Sequence, residues 1–212
     1  MLFTLFTISL VFIASSLGVP ITNSDASCSP VQLVHLAGTN QEGLGTVGIP
    51  LAVAISSAIP GTTTYTIPYD TKPEYVKTVA NGAIITTKYL TSQAAKCPNQ
   101  RFVLSGFSKG ALVIHTTLLP GNIIDKVLAI LTFGDPLRNF GLFWPIRSPT
   151  VAWTPRNGYI SYYNIASFCN AGDLFCEVGG LNVQSHLAYG TDGSTSVAAN
   201  FVTAKAREAG LI

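Results

Sequence analysis

Charge is scarce in this 212-residue chain: Asp, Glu, Lys and Arg together make up 10% of it, and hydrophobic residues 48%. An average soluble domain carries roughly 25% charge, and disordered chains are richer still in charge and poorer in apolar residues, so intrinsic disorder is excluded. The formal net charge is +2, with no run of Lys or Arg. The electrostatic footprint of a nucleic-acid-binding protein is therefore missing, and no nucleic-acid partner is expected. There is no N-x-[ST] sequon, no internal repeat, no low-complexity tract and no Ser/Thr/Pro linker leading to a second module. Histidine is limited to His35, His115 and His186, and their spacing relative to the cysteines fits no zinc pattern.

What is present begins with an apolar run from Leu2 to Ile13, broken only by Thr4, Thr7 and Ser9 and followed by Ala14-Ser15-Ser16-Leu17-Gly18. An apolar core leading into small residues is the pattern of a secretory signal, here 1–18 with cleavage near Gly18, although no Lys or Arg precedes it. The run is shorter than the ~20 residues needed to span a bilayer, so stable membrane insertion is not expected. Residues 19–212 then form a single domain of a secreted, extracellular protein, expected as a monomer. The four cysteines, Cys28, Cys97, Cys169 and Cys176, all follow the signal. In an oxidising compartment they pair, and three connectivities are open. The economical one joins Cys169 to Cys176 locally and leaves Cys28 with Cys97. In the chain-entropy model the long loop contributes about 4 kcal/mol and the short one about 2.5 kcal/mol.

Hydrophobic periodicity outlines alternating strands and helices. Val31 to Leu36, Thr63 to Tyr69, Arg101 to Ser105, Val127 to Phe133 and Tyr159 to Ile165 read as strands. Thr46 to Ile59, Glu74 to Lys96, Lys109 to Leu119 and Ser194 to Ala209 read as helices, and Phe140 to Gly158 as a long ordered loop. Alternation of this kind predicts an α/β fold: a mainly parallel five-stranded sheet between two helical layers, an αβα sandwich.

Gly106-Phe107-Ser108-Lys109-Gly110 lies between a predicted strand and a predicted helix. In that context G-x-S-x-G is a nucleophile elbow, a tight turn that exposes a serine hydroxyl and aims the next backbone N–H, that of Lys109, at a developing oxyanion. An ordinary turn serine is the alternative. Ser108 needs a base. His35 precedes it, on the first strand, and His115 sits about 10 Å along the same helix at ~1.5 Å per residue. His186 alone follows in the order Ser, acid, His. The acid must then be Asp125, Asp135, Asp173 or Glu177. Asp173, inside the Cys169–Cys176 bracket, is favoured because a clamped loop can hold a carboxylate on one histidine tautomer. Asp135 is its rival, otherwise a brace for its own turn, and Glu177 reads as solvent-facing.

Taken together, the elbow, Ala37-Gly38-Thr39 with Gly43-Leu44-Gly45-Thr46, Cys169-Asn170-Ala171-Gly172-Asp173-Leu174-Phe175-Cys176 and His186-Leu187-Ala188-Tyr189-Gly190 resemble the cutinase family of serine esterases. The resemblance implies a cutinase-like, lidless α/β-hydrolase with the triad Ser108, Asp173 and His186 and disulfides Cys28–Cys97 and Cys169–Cys176. It also implies an oxyanion hole built from the Lys109 N–H and from the N–H and hydroxyl of Thr39. The chain departs from the family where Lys109 replaces the usual Gln and Ala37-Gly38-Thr39 the frequent Arg-Gly-Ser. Lys109 reads either as a solvated lysine without a role or as a charge favouring the oxyanion or its supporting loop.

Leu174, Phe175, Val178, Leu181 and Val183 lie between acid and base, interrupted by Asn182 and Gln184. They either rim the site and receive an acyl chain, with Leu174, Phe175, Leu181 and Val183 as the binding residues, or merely pack their own loop. The resemblance implies a cutin-like polyester and short- to medium-chain esters as substrates, with no metal or organic cofactor. Acetylxylan deacetylation is the alternative within the family, and a catalytically silent lipid- or surface-binding protein the alternative outside it.

Overall fold

The structure is a computed structural model describing residues 28–212, so the expected signal at 1–18 lies outside the described residues. Six strands form one sheet: β1 (Val31–Leu36), β2 (Thr63–Thr66), β3 (Arg101–Phe107), β4 (Val127–Phe133), β5 (Val151–Ala152) and β6 (Ile165–Phe168). Their order is β2-β1-β3-β4-β6-β5, and every paired neighbour runs parallel. The helices are α1 (Gly45–Ala58), α2 (Lys77–Lys96), α3 (Lys109–Thr116), α4 (Gly121–Ile124), α5 (Val183–Leu187) and α6 (Ser194–Glu208).

Alternation along the central strands builds two cores. From β1, Val31 and Leu33 pack with Val47, Leu51 and Ile55 of α1 and with Phe201 and Val202 of α6. Val34 and Leu36 face the other way, onto Val79, Ala83 and Leu90 of α2 and Val113 and Ile114 of α3. Each such side chain contributes roughly 1.5–3 kcal/mol on burial, which is why β1 is apolar on both faces. Strand order reverses between β1 and β3. At such a switch point the loops leaving the two carboxyl ends diverge and open a crevice. The loop from β1 carries Thr39, and that from β3 carries Ser108.

The structure corrects several boundaries. The sheet has six strands rather than five, because Val151–Ala152 pairs with β6 inside the segment expected to be a loop. A two-residue strand leaves no period to read. Tyr159 to Ile165 is not a strand apart from its last residue; pairing runs over Ile165–Phe168. Its aromatic composition serves packing instead, with the Tyr159 ring 4.9 Å from that of Phe201. β2 stops at Thr66 rather than Tyr69, since Pro68 has no N–H to donate. α2 begins at Lys77 rather than Glu74, whose carboxylate instead accepts the N–H groups of Val76, Lys77 and Thr78. Disulfides join Cys28 to Cys97 and Cys169 to Cys176, with Cα–Cα distances of 5.4 and 5.8 Å.

Candidate active site

β3 runs straight into the turn that carries Ser108, which has φ 51° and ψ −113°, a conformation L residues rarely adopt. Such backbone costs on the order of 1–3 kcal/mol and persists only where neighbours enforce it. Here the Ser108 N–H donates to the Phe133 carbonyl at 2.9 Å, and the Ser108 carbonyl accepts the Ala111 N–H at 2.9 Å. The flanking glycines are steric requirements. A Cβ on Gly106 would lie 2.6 Å from the Gly110 backbone, and one on Gly110 would lie 2.0 Å from the Leu36 carbonyl oxygen.

Asp173 and His186 are buried together, with the carboxylate oxygens 3.0 and 2.9 Å from His186 Nδ1. Because both partners of Nδ1 are acceptors, this nitrogen carries the proton and Nε2 is left free to accept one. Asp173 also accepts the Phe175 N–H at 2.8 Å and the Tyr189 hydroxyl at 2.5 Å. Burial pushes its carboxyl up, but the bonds from His186, Tyr189 and Phe175 outweigh this and hold it below the usual carboxylate range. Burial, together with the same hydroxyl–carboxylate bond, pushes Tyr189 well above the usual phenol range. The Tyr189 oxygen in turn accepts the Asn170 N–H at 2.9 Å.

The imidazole packs against the rings of Phe107, at 4.9 Å, and Phe175, at 4.4 Å, both tilted to it. Its floor is Gly134, where a Cβ would sit 2.6 Å from the ring. Phe133 and Gly134 thus support both halves of the site: one carbonyl holds the Ser108 turn, and the next Cα seats His186. Among the described residues the Ser108 hydroxyl has no hydrogen-bond partner, and in a site free of substrate such bonds are often long or poorly aligned. Gly190 has its own reason to be glycine. Pro50 cannot donate to the Thr46 carbonyl, and a Cβ on Gly190 would lie 2.2 Å from that oxygen.

The other candidates are engaged elsewhere. Asp135 is buried and pairs with His115 Nε2 at 2.9 Å, while its second oxygen accepts the Leu137 N–H at 2.9 Å. His115 Nδ1 faces the Phe143 carbonyl at 3.0 Å, so this pair ties the 140–150 segment to the sheet. Asp125 pairs with Arg147 at the surface. Glu177 is exposed yet accepts the Gly172 N–H, bracing the loop of Asp173. His35 meets Ser105 at 3.0 Å inside the sheet, where burial lowers its pKa to about 3 and keeps it neutral.

Thr39 is half-buried, with its hydroxyl 3.0 Å from that of Tyr75. Lys109 is not the solvated lysine that one reading allowed: its side chain is fully buried, and its ammonium donates to the carbonyls of Asp70, at 3.0 Å, and Lys72. Burial draws this ammonium below the usual lysine range, against the opposing charges of Asp70 and Glu74. Leu174, Phe175, Val178, Leu181 and Val183 are all exposed, and of them Phe175 packs its ring, tilted by 51°, against that of His186. A cleft of about 380 Å3 flanks the same disulfide loop, lined by Arg138, Trp153 and Arg156 among others, and none of Ser108, Asp173 and His186 lines it. Among the described residues, no group of three or more His, Cys, Asp or Glu side chains could hold a metal ion. Nor, among them, is any helix long and apolar enough to cross a membrane.

A sequence model of the family described as Cutinase matches residues 27–206. The chain belongs to the cutinase family. Carboxylesterase Culp1 of Mycobacterium bovis is 32% identical over 190 residues, which cover 86% of this chain and 84% of that protein. A cutinase of Botryotinia fuckeliana is 31% identical over 185 residues, 83% of each chain. Among solved structures, an acetylxylan esterase superposes with a TM-score of 0.69 at 23% identity, covering 84% of this chain and 99% of that one. A Trichoderma reesei cutinase bound to a phosphonate inhibitor has a TM-score of 0.63 at 25% identity, covering 82% and 75%. This cutinase-family chain is a carboxylic ester hydrolase with a parallel α/β-hydrolase sheet.

Three residues with evident work in this site were not singled out from the sequence: Tyr189, Tyr75 and Gly134. Tyr189 lies in the His186-to-Gly190 motif, where a tyrosine three residues after His186 was the available signal. Tyr75 and Gly134 carried none, because what they touch is set by packing between separate loops.

Proposed function

We propose that this chain is a secreted serine esterase that works through a covalent acyl-enzyme. Ser108 attacks the ester carbonyl as His186 Nε2 takes its proton, and Asp173 holds the imidazole and stabilises the imidazolium. The N–H of Lys109 and the N–H and hydroxyl of Thr39 receive the oxyanion. His186 protonates the departing alcohol, then activates the water that cleaves the acyl-enzyme and regenerates Ser108. The observation carrying this reading is a serine at φ 51° placed at the crevice between β1 and β3, with a buried Asp–His pair seated on the same Phe133–Gly134 segment.

The substrate we infer is a short- to medium-chain ester and, by extension, a cutin-like polyester. The rim beside His186 is apolar and exposed, which suits an aliphatic acyl chain better than an acetylated sugar. Two disulfides support passage through an oxidising compartment and hence secretion. The test compares p-nitrophenyl acetate, butyrate and palmitate with wild type and Ser108→Ala. Turnover greatest on butyrate and lost in the variant is the expected result. Activity confined to acetate would transfer the assignment to carbohydrate deacetylation. An inert, folded wild type whose Ser108 resists a fluorophosphonate would instead make the chain a binding protein.

A further inference from the structure

Lys109 joins two regions that the reaction needs to keep in register. Its backbone N–H is one of the oxyanion donors proposed above, while its buried ammonium is planted in the loop between β2 and α2. There it donates to the carbonyls of Asp70 and Lys72 and lies 5.7 Å from the Tyr69 ring centre and 5.3 Å from that of Tyr75. This loop is laced in turn to the segment that carries Thr39. The Tyr69 hydroxyl donates to the Ala37 carbonyl at 2.5 Å, and the Asn40 N–H to the Thr71 carbonyl at 2.9 Å. The Thr71 hydroxyl donates to the Gln41 carbonyl at 2.9 Å, and the Tyr75 and Thr39 hydroxyls meet at 3.0 Å.

We propose that the Lys109 side chain is a positioning group for the oxyanion hole, acting through Tyr75 on the hydroxyl of Thr39. The inference rests on the esterase reading above. A hydroxyl has one proton to give. If Tyr75 donates its own into Thr39 Oγ1, the Thr39 proton is left to point at the oxyanion. Tyr75 can do this only while its ring, half exposed to water, is held in place. A cation against the ring and two backbone carbonyls in its grip supply that restraint. With an uncharged side chain in its place the Asp70 and Lys72 carbonyls both lose the ammonium, the latter keeping the Glu74 N–H, and the tyrosine is free to swing.

The test uses Lys109→Met, which keeps the backbone N–H and an unbranched side chain one heavy atom shorter, and Tyr75→Phe, which removes one exposed hydroxyl and carries little folding risk. Losing a whole oxyanion donor lowers kcat by about 10²–10³-fold, so loosening one should cost roughly 10-fold. We expect each variant to lose about that much kcat on p-nitrophenyl butyrate with KM little changed. Affinity for an alkylboronic acid, which forms a tetrahedral adduct on the serine, should fall in parallel, and Lys109→Arg should recover part of the loss. Neither substitution should cost anything further in a Thr39→Val background, since both act on that hydroxyl. A lower melting temperature with unchanged kcat and boronate affinity would reduce Lys109 to a structural residue and overturn the proposal. Losses that persist undiminished in Thr39→Val would overturn it equally. An active wild type with unaffected variants sinks this inference alone, whereas an inert wild type sinks the esterase reading with it.

Discussion

Replacing Tyr189 by Phe removes one oxygen from the buried core and leaves the ring to fill the same space. That oxygen makes two bonds: it donates to Asp173 at 2.5 Å and accepts the Asn170 N–H at 2.9 Å. A hydrogen bond to a charged group is worth about 1.5–3 kcal/mol, and a buried donor left unpaired costs about 1–3 kcal/mol. Taking the low end of each gives a loss of about 2.5 kcal/mol at neutral pH. The loss should depend on pH. The folded-state carboxyl of Asp173 is depressed, so its stabilisation is fully present above the unfolded value of about 3.9 and is lost as pH falls through the folded value. Tyr189→Phe withdraws one of the bonds that depress it. The folded value should therefore rise, and the gap between wild type and variant should narrow as pH falls through the folded value of the variant and then that of the wild type, where the carboxylate becomes protonated. Denaturant unfolding of both proteins between pH 3 and pH 8 measures this directly. A difference below about 0.5 kcal/mol at pH 7, or one independent of pH, would refute the claim that this hydroxyl sustains the ionised acid.

Other consequences follow from the same geometry. Asp173→Asn should lower kcat by about 10⁴-fold, as expected when the base is held in the wrong tautomer, while Asp135→Asn should leave kcat nearly intact and loosen the 140–150 segment. Turnover by the two variants distinguishes the acids, and comparable losses would return Asp135 to contention. Gly134→Ala would place a Cβ 2.6 Å from the His186 ring at a position with φ +58°. It should cost about 1–2 kcal/mol in backbone strain and, by displacing the base, roughly 10²-fold in kcat, read by thermal melting and ester turnover. Removing Cys28–Cys97, which closes a loop with a sequence separation of 69, should lower unfolding free energy by about 4 kcal/mol. That variant should keep its turnover at low temperature, because Ser108, Asp173 and His186 are not anchored by this bond.

Where the candidate site is built from neighbouring residues, its geometry was legible in the chain. Gly106 to Gly110 read as an elbow because the turn needs glycine on both sides of an exposed serine, and the steric distances at Gly106 and Gly110 bear that need out. The apolar alternation of β1, β3 and β4 likewise declared a sheet buried on both faces, since side-chain direction in a strand is a local property. His186 and Asp173 were reached by chain order and by the cysteine bracket. The short helix α5 that carries His186 was overlooked, although Asn182 caps it by accepting the N–H groups of Gln184 and Ser185.

Tertiary structure alone decided the rest. No local pattern distinguishes a lysine bound for solvent from Lys109, which is buried because carbonyls 37 and 39 residues away await its ammonium. Asp135, the rival acid, proved to be paired with His115, and Tyr159 to Ile165 looked like a strand until pairing proved to begin only at Ile165. Backbone preference and hydrophobic period are written over a few consecutive residues. The partner of a buried charge depends on which distant loops the sheet brings to the same edge, and that is settled only when the whole core has closed.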